Sequence, residues 1–100
     1  MKNGTFKYLE APDPTAYFVI TDSSHTEYFA DDKYYIKSQM DWITDCKYKL
    51  TMLSITLPDF PFKPGDIMIV TINKIKKGII YYTADVNNQD KWDTKVKKIK

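Results

Sequence analysis

Few residues in this chain have the chemistry to react or to bind a metal. His25 and Glu27 stand two apart, with Asp22, Asp31 and Asp32 nearby in sequence. Imidazole and carboxylate groups ligate metals and move protons, so His25 and Glu27 are candidates for a metal or acid/base site. On a strand, residues two apart share a face. A His-x-Glu pair is nonetheless a short pattern, and the plain alternative is a polar, exposed hairpin. Nucleophilic chemistry needs a Cys or Ser beside a base. The chain has one cysteine, Cys46, and one histidine. Cys46 sits in an apolar alternation and reads as a small buried hydrophobe. A single cysteine also excludes an intrachain disulfide and a cysteine-based zinc site. The three glycines are scattered, which excludes a Gly-rich phosphate loop. No catalytic residue emerges, and neither an enzyme nor a cofactor is expected.

Two other features bear on binding. Tyr34, Tyr35, Lys47, Lys49, Tyr81 and Tyr82 have the character of a base-stacking surface such as an OB-type barrel uses. Fifteen basic residues against thirteen acidic ones, a net charge of +2, argue against nucleic acid and for an ordinary strand surface. The most unusual stretch is Pro58-Asp59-Phe60-Pro61-Phe62-Lys63-Pro64. Its two Phe rings, held in a Pro-stiffened loop, either plug one end of the fold or meet a partner, lipid or ligand. Alternate side chains of an extended segment point apart, so one Phe is expected buried and the other exposed. The Phe60–Pro61 bond is a candidate for cis.

The elements that position these residues are strands. Period-two alternation runs from Tyr34 to Ile55, with Tyr34, Ile36, Ser38, Met40 and Trp42 on one face of the first arm. Cys46, Tyr48, Leu50 and Met52 share a face of the second. A two-residue loop Thr44-Asp45 would set apolar beside polar. A three-residue loop Ile43-Thr44-Asp45 aligns the apolar faces and predicts Trp42 and Cys46 as inward cross-strand neighbours. Shorter strands precede this hairpin: Gly4 to Glu10, broken by Pro12 and Pro14, then Thr15 to Thr21, then His25 to Phe29. Pro58, Pro61 and Pro64 interrupt the chain after it. Asp66 to Lys74 and Ile79 to Val86 form a further hairpin around Gly78, whose register stays open because both faces carry Ile or Tyr. Trp92 to Ile99 reads as a last strand, with residues 91–100 alternatively a frayed Lys-rich tail. No window shows helical periodicity with caps.

The fold expected is therefore all-β: one domain over residues 1–100, an antiparallel meander of seven to eight strands curled into a small lipocalin-like barrel or half-barrel. Its proposed inner residues, Trp42, Tyr48, Met40, Met52, Leu50, Phe6 and Tyr8, are large. An eight-stranded barrel is just wide enough to be filled by such side chains, so a filled interior is expected. No run approaches the roughly 20 apolar residues of a transmembrane helix.

GTFKY at Gly4–Tyr8, HTEYF at His25–Phe29 and WITDCKYKL at Trp42–Leu50 resemble a group of short, mostly uncharacterised lipoprotein-like proteins of Bacteroidetes bacteria. These share Gly-Thr-Phe near the start and Trp…Asp-Cys-x-Tyr-x-Leu in the middle. The resemblance covers residues 4–50 and brings no catalytic residues. It implies a small exported or envelope-tethered domain whose signal segment is absent from this chain. A cytoplasmic location stays open. Two functions compete: a non-enzymatic interaction module of the cell envelope, meeting a protein partner through Phe60 or Phe62, and a lipocalin-like carrier of a small apolar ligand. A void below about 300 Å³ would count against the carrier.

Overall fold

The alternating segments become eight antiparallel strands. They are β1 (Gly4–Tyr8), β2 (Tyr17–Thr21), β3 (Ser24–Phe29), β4 (Tyr34–Thr44), β5 (Lys47–Ile55), β6 (Ile67–Lys76), β7 (Ile79–Val86) and β8 (Asp90–Lys98). This computed structural model describes residues 3–10, 13–58 and 60–100. Of the positions singled out above, Pro12 and Asp59 lie outside that set. Each strand pairs with the next, and β8 returns to pair with β1, so the meander closes into a barrel. Closure removes the unpaired edges that an open sheet leaves. The Lys-rich end is a strand, not a frayed tail, with Val96 fully buried. No helix among the described residues is long and apolar enough to cross a membrane.

The central hairpin corrects the expected turn. Thr44 pairs with Lys47, so Asp45 and Cys46 form a two-residue turn, and the register shifts between Trp42 and Thr44. Ile43 is the extra residue of a β-bulge, which moves the ladder by one position. Below the bulge Met40 faces Leu50 and Ser38 faces Met52, so the apolar faces align as the alternation demands. The bulge, not a longer loop, supplies the parity. Trp42 consequently opposes Tyr48, not Cys46. Trp42 lies at the rim, edge-on to Tyr48 at 5.1 Å and 38% exposed. Cys46 is exposed in the turn instead of buried in the core.

The β6–β7 hairpin explains why its register was open. At the tip Lys76 pairs with Ile79 around Lys77-Gly78, with φ of 53° and 78°. Two successive positive φ values are the signature of a tight type I′ turn, and Gly78 takes its second place without a Cβ penalty. The ladder then slips between Ile72 and Lys74. Met68 to Ile72 keep the register a three-residue loop would give, and Lys74 to Lys76 that of a two-residue loop. Both registers are in use.

Inward residues from all strands make one core. Phe6 and Phe18 are fully buried and stack at 5.1 Å. Ile20, Met40, Ile72, Ile80 and Val96 fill the end of the barrel where the 22–23, 45–46 and 77–78 turns lie. The other end is not filled. There the strands are joined by the longer segments 9–16, 30–33, 56–66 and 87–89.

Candidate functional site

A cavity of about 570 Å³ occupies this second end. The expectation of a filled interior is therefore overturned. Of the large side chains expected inside, Phe6, Met40, Tyr48, Leu50 and Met52 are buried and Tyr8 is half-buried, while Trp42 is at the rim. Ala16, Ala30 and Ala84 also line the space, and their small size leaves it open. Deeper down the walls are Tyr48, Leu50, Val70 and Tyr82, and nearer the mouth Phe29, Tyr34, Leu57 and Trp92.

Strand β3 brings the chemistry inside. The two-residue turn Asp22-Ser23 sets Ile20 opposite His25 and Phe18 opposite Glu27. Ile20 and Phe18 are core residues, so His25 and Glu27 face inward with them. The plain reading of an exposed polar hairpin is thus wrong for both. His25 is 3% exposed and stacks on Phe18 with ring centroids 4.5 Å apart. Burial in apolar surroundings pushes its imidazole down to about 3. It is neutral at physiological pH, and its Nδ1 finds no hydrogen-bond partner among the described residues.

Glu27 lies in the cavity wall, and Tyr8 Oη–H donates to its Oε2 at 3.0 Å. Burial pushes its carboxyl up to about 7, with the Tyr8 hydrogen bond pulling the other way. At neutral pH the group is poised between acid and carboxylate. Its neighbours register it. Burial, and then the charge of Glu27, hold the Tyr8 hydroxyl well above the ordinary phenol value. The same causes, burial first, raise Tyr82. Tyr48 is raised by burial, then by Tyr82 and Glu27. A carboxyl ringed by three phenols inside an apolar barrel is the polar centre of the site.

The mouth is held by Asp13. Its Oδ1 accepts from Thr15 N at 2.9 Å and Thr15 Oγ1 at 2.6 Å, and its Oδ2 accepts from Ala30 N at 2.7 Å. Thr15 Oγ1 in turn accepts from Asp31 N at 2.9 Å. The loop so held carries Ala30, Asp31 and Asp32 all at positive φ, between 53° and 71°. Side-chain-bearing residues adopt that region at a cost and persist there when surrounding contacts fix them. The Thr15 side-chain bond, followed by the backbone bonds, lowers the Asp13 carboxyl. Beside it Glu10 is paired with Lys95 at 2.7 Å.

No family model matches the chain, and no curated protein or solved structure matches it.

The remaining candidates separate. Among the described residues, no three His, Cys, Asp or Glu side chains gather as a metal site would need. The Tyr–Lys stacking surface does not exist as one face. Tyr34 and Tyr82 line the cavity, while Tyr81 lies outside with Lys74 Nζ 4.7 Å from its ring centroid. Phe60 and Phe62 are not one buried and one exposed. Both are half-buried, pack against the core, and meet edge-to-face at 5.3 Å. Mutual shielding replaces the division of labour that an extended segment implied. The Phe60–Pro61 bond is trans.

Sequence reasoning missed the inward side of β3 because it counted polarity, and polar residues were assigned to solvent. The turn carried the better signal. Placing Asp22-Ser23 as a two-residue loop sets His25 and Glu27 opposite Ile20 and Phe18 from sequence alone.

Proposed function

We propose that this barrel is a non-enzymatic carrier of a small, largely apolar molecule. The cavity is the observation that carries the reading. At about 570 Å³ it lies within the 300–1,000 Å³ range of pockets that enclose drug-sized ligands. It has the usual makeup of such sites: apolar and aromatic walls around a few convergent polar groups, here Glu27 and the Tyr8 hydroxyl. The same space favours the carrier over an interaction module working through Phe60 and Phe62, whose rings are spent on each other and on the core. The resemblance of residues 4–50 to Bacteroidetes lipoprotein-like chains supports an exported or envelope-tethered setting for this carrier.

Native mass spectrometry of protein purified from its own cells tests the reading. A co-purified species of a few hundred daltons is expected, absent from an Ala84→Trp variant, because Ala84 is buried in the cavity wall and an indole there occupies the space. Unliganded protein that also binds no neutral apolar dye, with A84W behaving identically, would remove the carrier reading.

A further inference from the structure

We infer that the ligand carries a protonated amine, seated at Glu27, on an aromatic or aliphatic body that fills the rest of the cavity. This rests on the carrier reading and names the class of molecule carried.

Among the described residues, the lining has acidic side chains and no Lys or Arg. Glu10, Asp13, Glu27 and Asp93 all border the cavity, and His25 is held neutral by burial. Three of the four acids are already engaged. Glu10 is paired with Lys95. Both Asp13 oxygens accept hydrogen bonds from the mouth segments. Asp93 Oδ1 accepts from Thr83 Oγ1 at 2.6 Å. Glu27 is the exception. Tyr8 occupies Oε2, while Oε1 has no protein donor among the described residues, and it is not among the sealed-off orphan atoms. It opens on the cavity.

Head groups can be ranked against this centre. An ammonium has three donors and no acceptor. It matches a carboxylate flanked by phenol oxygens, and its charge replaces the counter-ion that the lining does not supply. Tyr48, Tyr82 and Trp92 in the lining supply aromatic rings, which attract a nearby cation. A neutral hydroxyl can bond to Glu27 in either protonation state but gains no charge pairing. A carboxylate, as on a fatty acid, meets like charge at Glu27 and no cation to receive it. The order expected is amine, then alcohol, then carboxylate.

The experiment holds the body constant and varies the head. 2-(1-Naphthyl)ethylamine, 2-(1-naphthyl)ethanol and 1-naphthylacetate are titrated calorimetrically into the full chain at pH 7.5. The amine is expected to bind at least about tenfold tighter than the alcohol, as a hydrogen bond to a charged group outweighs a neutral one. The carboxylate should bind weakest. In Glu27→Gln the amine-over-alcohol preference should fall by about tenfold or more.

A second measurement does not depend on the variant folding. Pairing with an ammonium lowers the Glu27 pKa, so amine binding near pH 6.5 should release protons, visible as a dependence of the heat on buffer ionisation. The other titratable groups facing Glu27 are Tyr8 on β1, His25 on β3, Tyr48 on β5 and Tyr82 on β7. The tyrosines are raised and His25 is lowered to about 3, so none exchanges protons near 6.5. Equal binding of the three compounds, a preference for the carboxylate, or amine binding without proton release overturns the inference and leaves the carrier standing. Failure of all three to bind removes the carrier, and the inference falls with it.

Discussion

Replacing Glu27 by Gln should make the protein more stable above neutral pH and leave it unchanged in acid. The sign follows from linkage. The carboxyl stands at about 7 in the folded protein against an ordinary 4.5. A raised folded value means that the folded state holds its proton more tightly, so this contribution to stability is complete below 4.5. It declines as pH rises and is lost above about 7. At 1.36 kcal/mol per pH unit the difference is at most about 3 kcal/mol. Glu27 is only partly buried and borders the open cavity, so screening trims this to about 1–2 kcal/mol. Gln keeps the shape and an acceptor for Tyr8 but has nothing to ionise. Burial lowers His25 in the same way with or without the Glu27 charge, so it cancels from the comparison, and burial holds Tyr8, Tyr48 and Tyr82 protonated throughout. At about 4–8 °C per kcal/mol for a domain of this size, E27Q should melt roughly 5–15 °C above wild type at pH 8. The two should coincide at pH 4. Calorimetric melting of both proteins from pH 4 to 9 checks this. A gap that is constant across pH, or a less stable E27Q at pH 8, would refute the placement of Glu27 in a desolvated wall.

Phe6→Ala should cost about 3–5 kcal/mol by denaturant unfolding, because the ring is fully buried on Phe18 and its loss leaves a cavity. Phe60→Ala and Phe62→Ala should destabilise by similar, smaller amounts of about 1 kcal/mol, since each half-buried ring leans on the other; a large inequality between them would restore the one-in, one-out arrangement. Cys46 should react with a thiol reagent in the native protein at nearly the rate seen in denaturant, because it stands exposed in a turn. Asp13→Ala should release the positive-φ loop at Ala30–Asp32, seen as faster ligand entry and exit in stopped-flow with little change in melting temperature.

Strand existence was legible because alternation is a local signal, and all eight strands lie where it placed them. A curled meander followed from short connections and the need to cover edges; that it closes fully rather than as a half-barrel came from the β1–β8 pairing. Register was legible only in parity. Aligning Met40 with Leu50 needs an even offset, and the chain reached it through a bulge at Ile43, which no residue type announces. The error then fell on Trp42 and Cys46, the pair expected to flank the loop. The cavity was illegible for a different reason. Its existence depends on which small residues, Ala16, Ala30 and Ala84, gather at one end after eight strands have curled, and that is a three-dimensional sum. Glu27 was hidden because the rule that sends charge to the surface holds for most residues and fails where a binding site needs a polar group inside.

The seam between β1 and β8 has consequences for how the chain folds. Seven of the eight pairings join strands that follow one another, whereas the seam joins Phe6 to Lys98 and Tyr8 to Val96, about 90 residues apart. Hairpins form in about 1–10 μs, but the seam cannot close until the whole sheet has curved, which places folding in the millisecond-to-second range of non-local β topologies. During that interval the chain is an open sheet with two bare edges, the state in which β proteins recruit one another. Lys91, Lys95, Lys97 and Lys98 line one of those edges and Lys7 stands on the other. Two such edges from different molecules would bring like charges together, while the correct partner is tethered to the same chain. The Lys-rich last strand thus keeps the slow step intramolecular, and neutralising its lysines should show first as concentration-dependent loss of refolding yield.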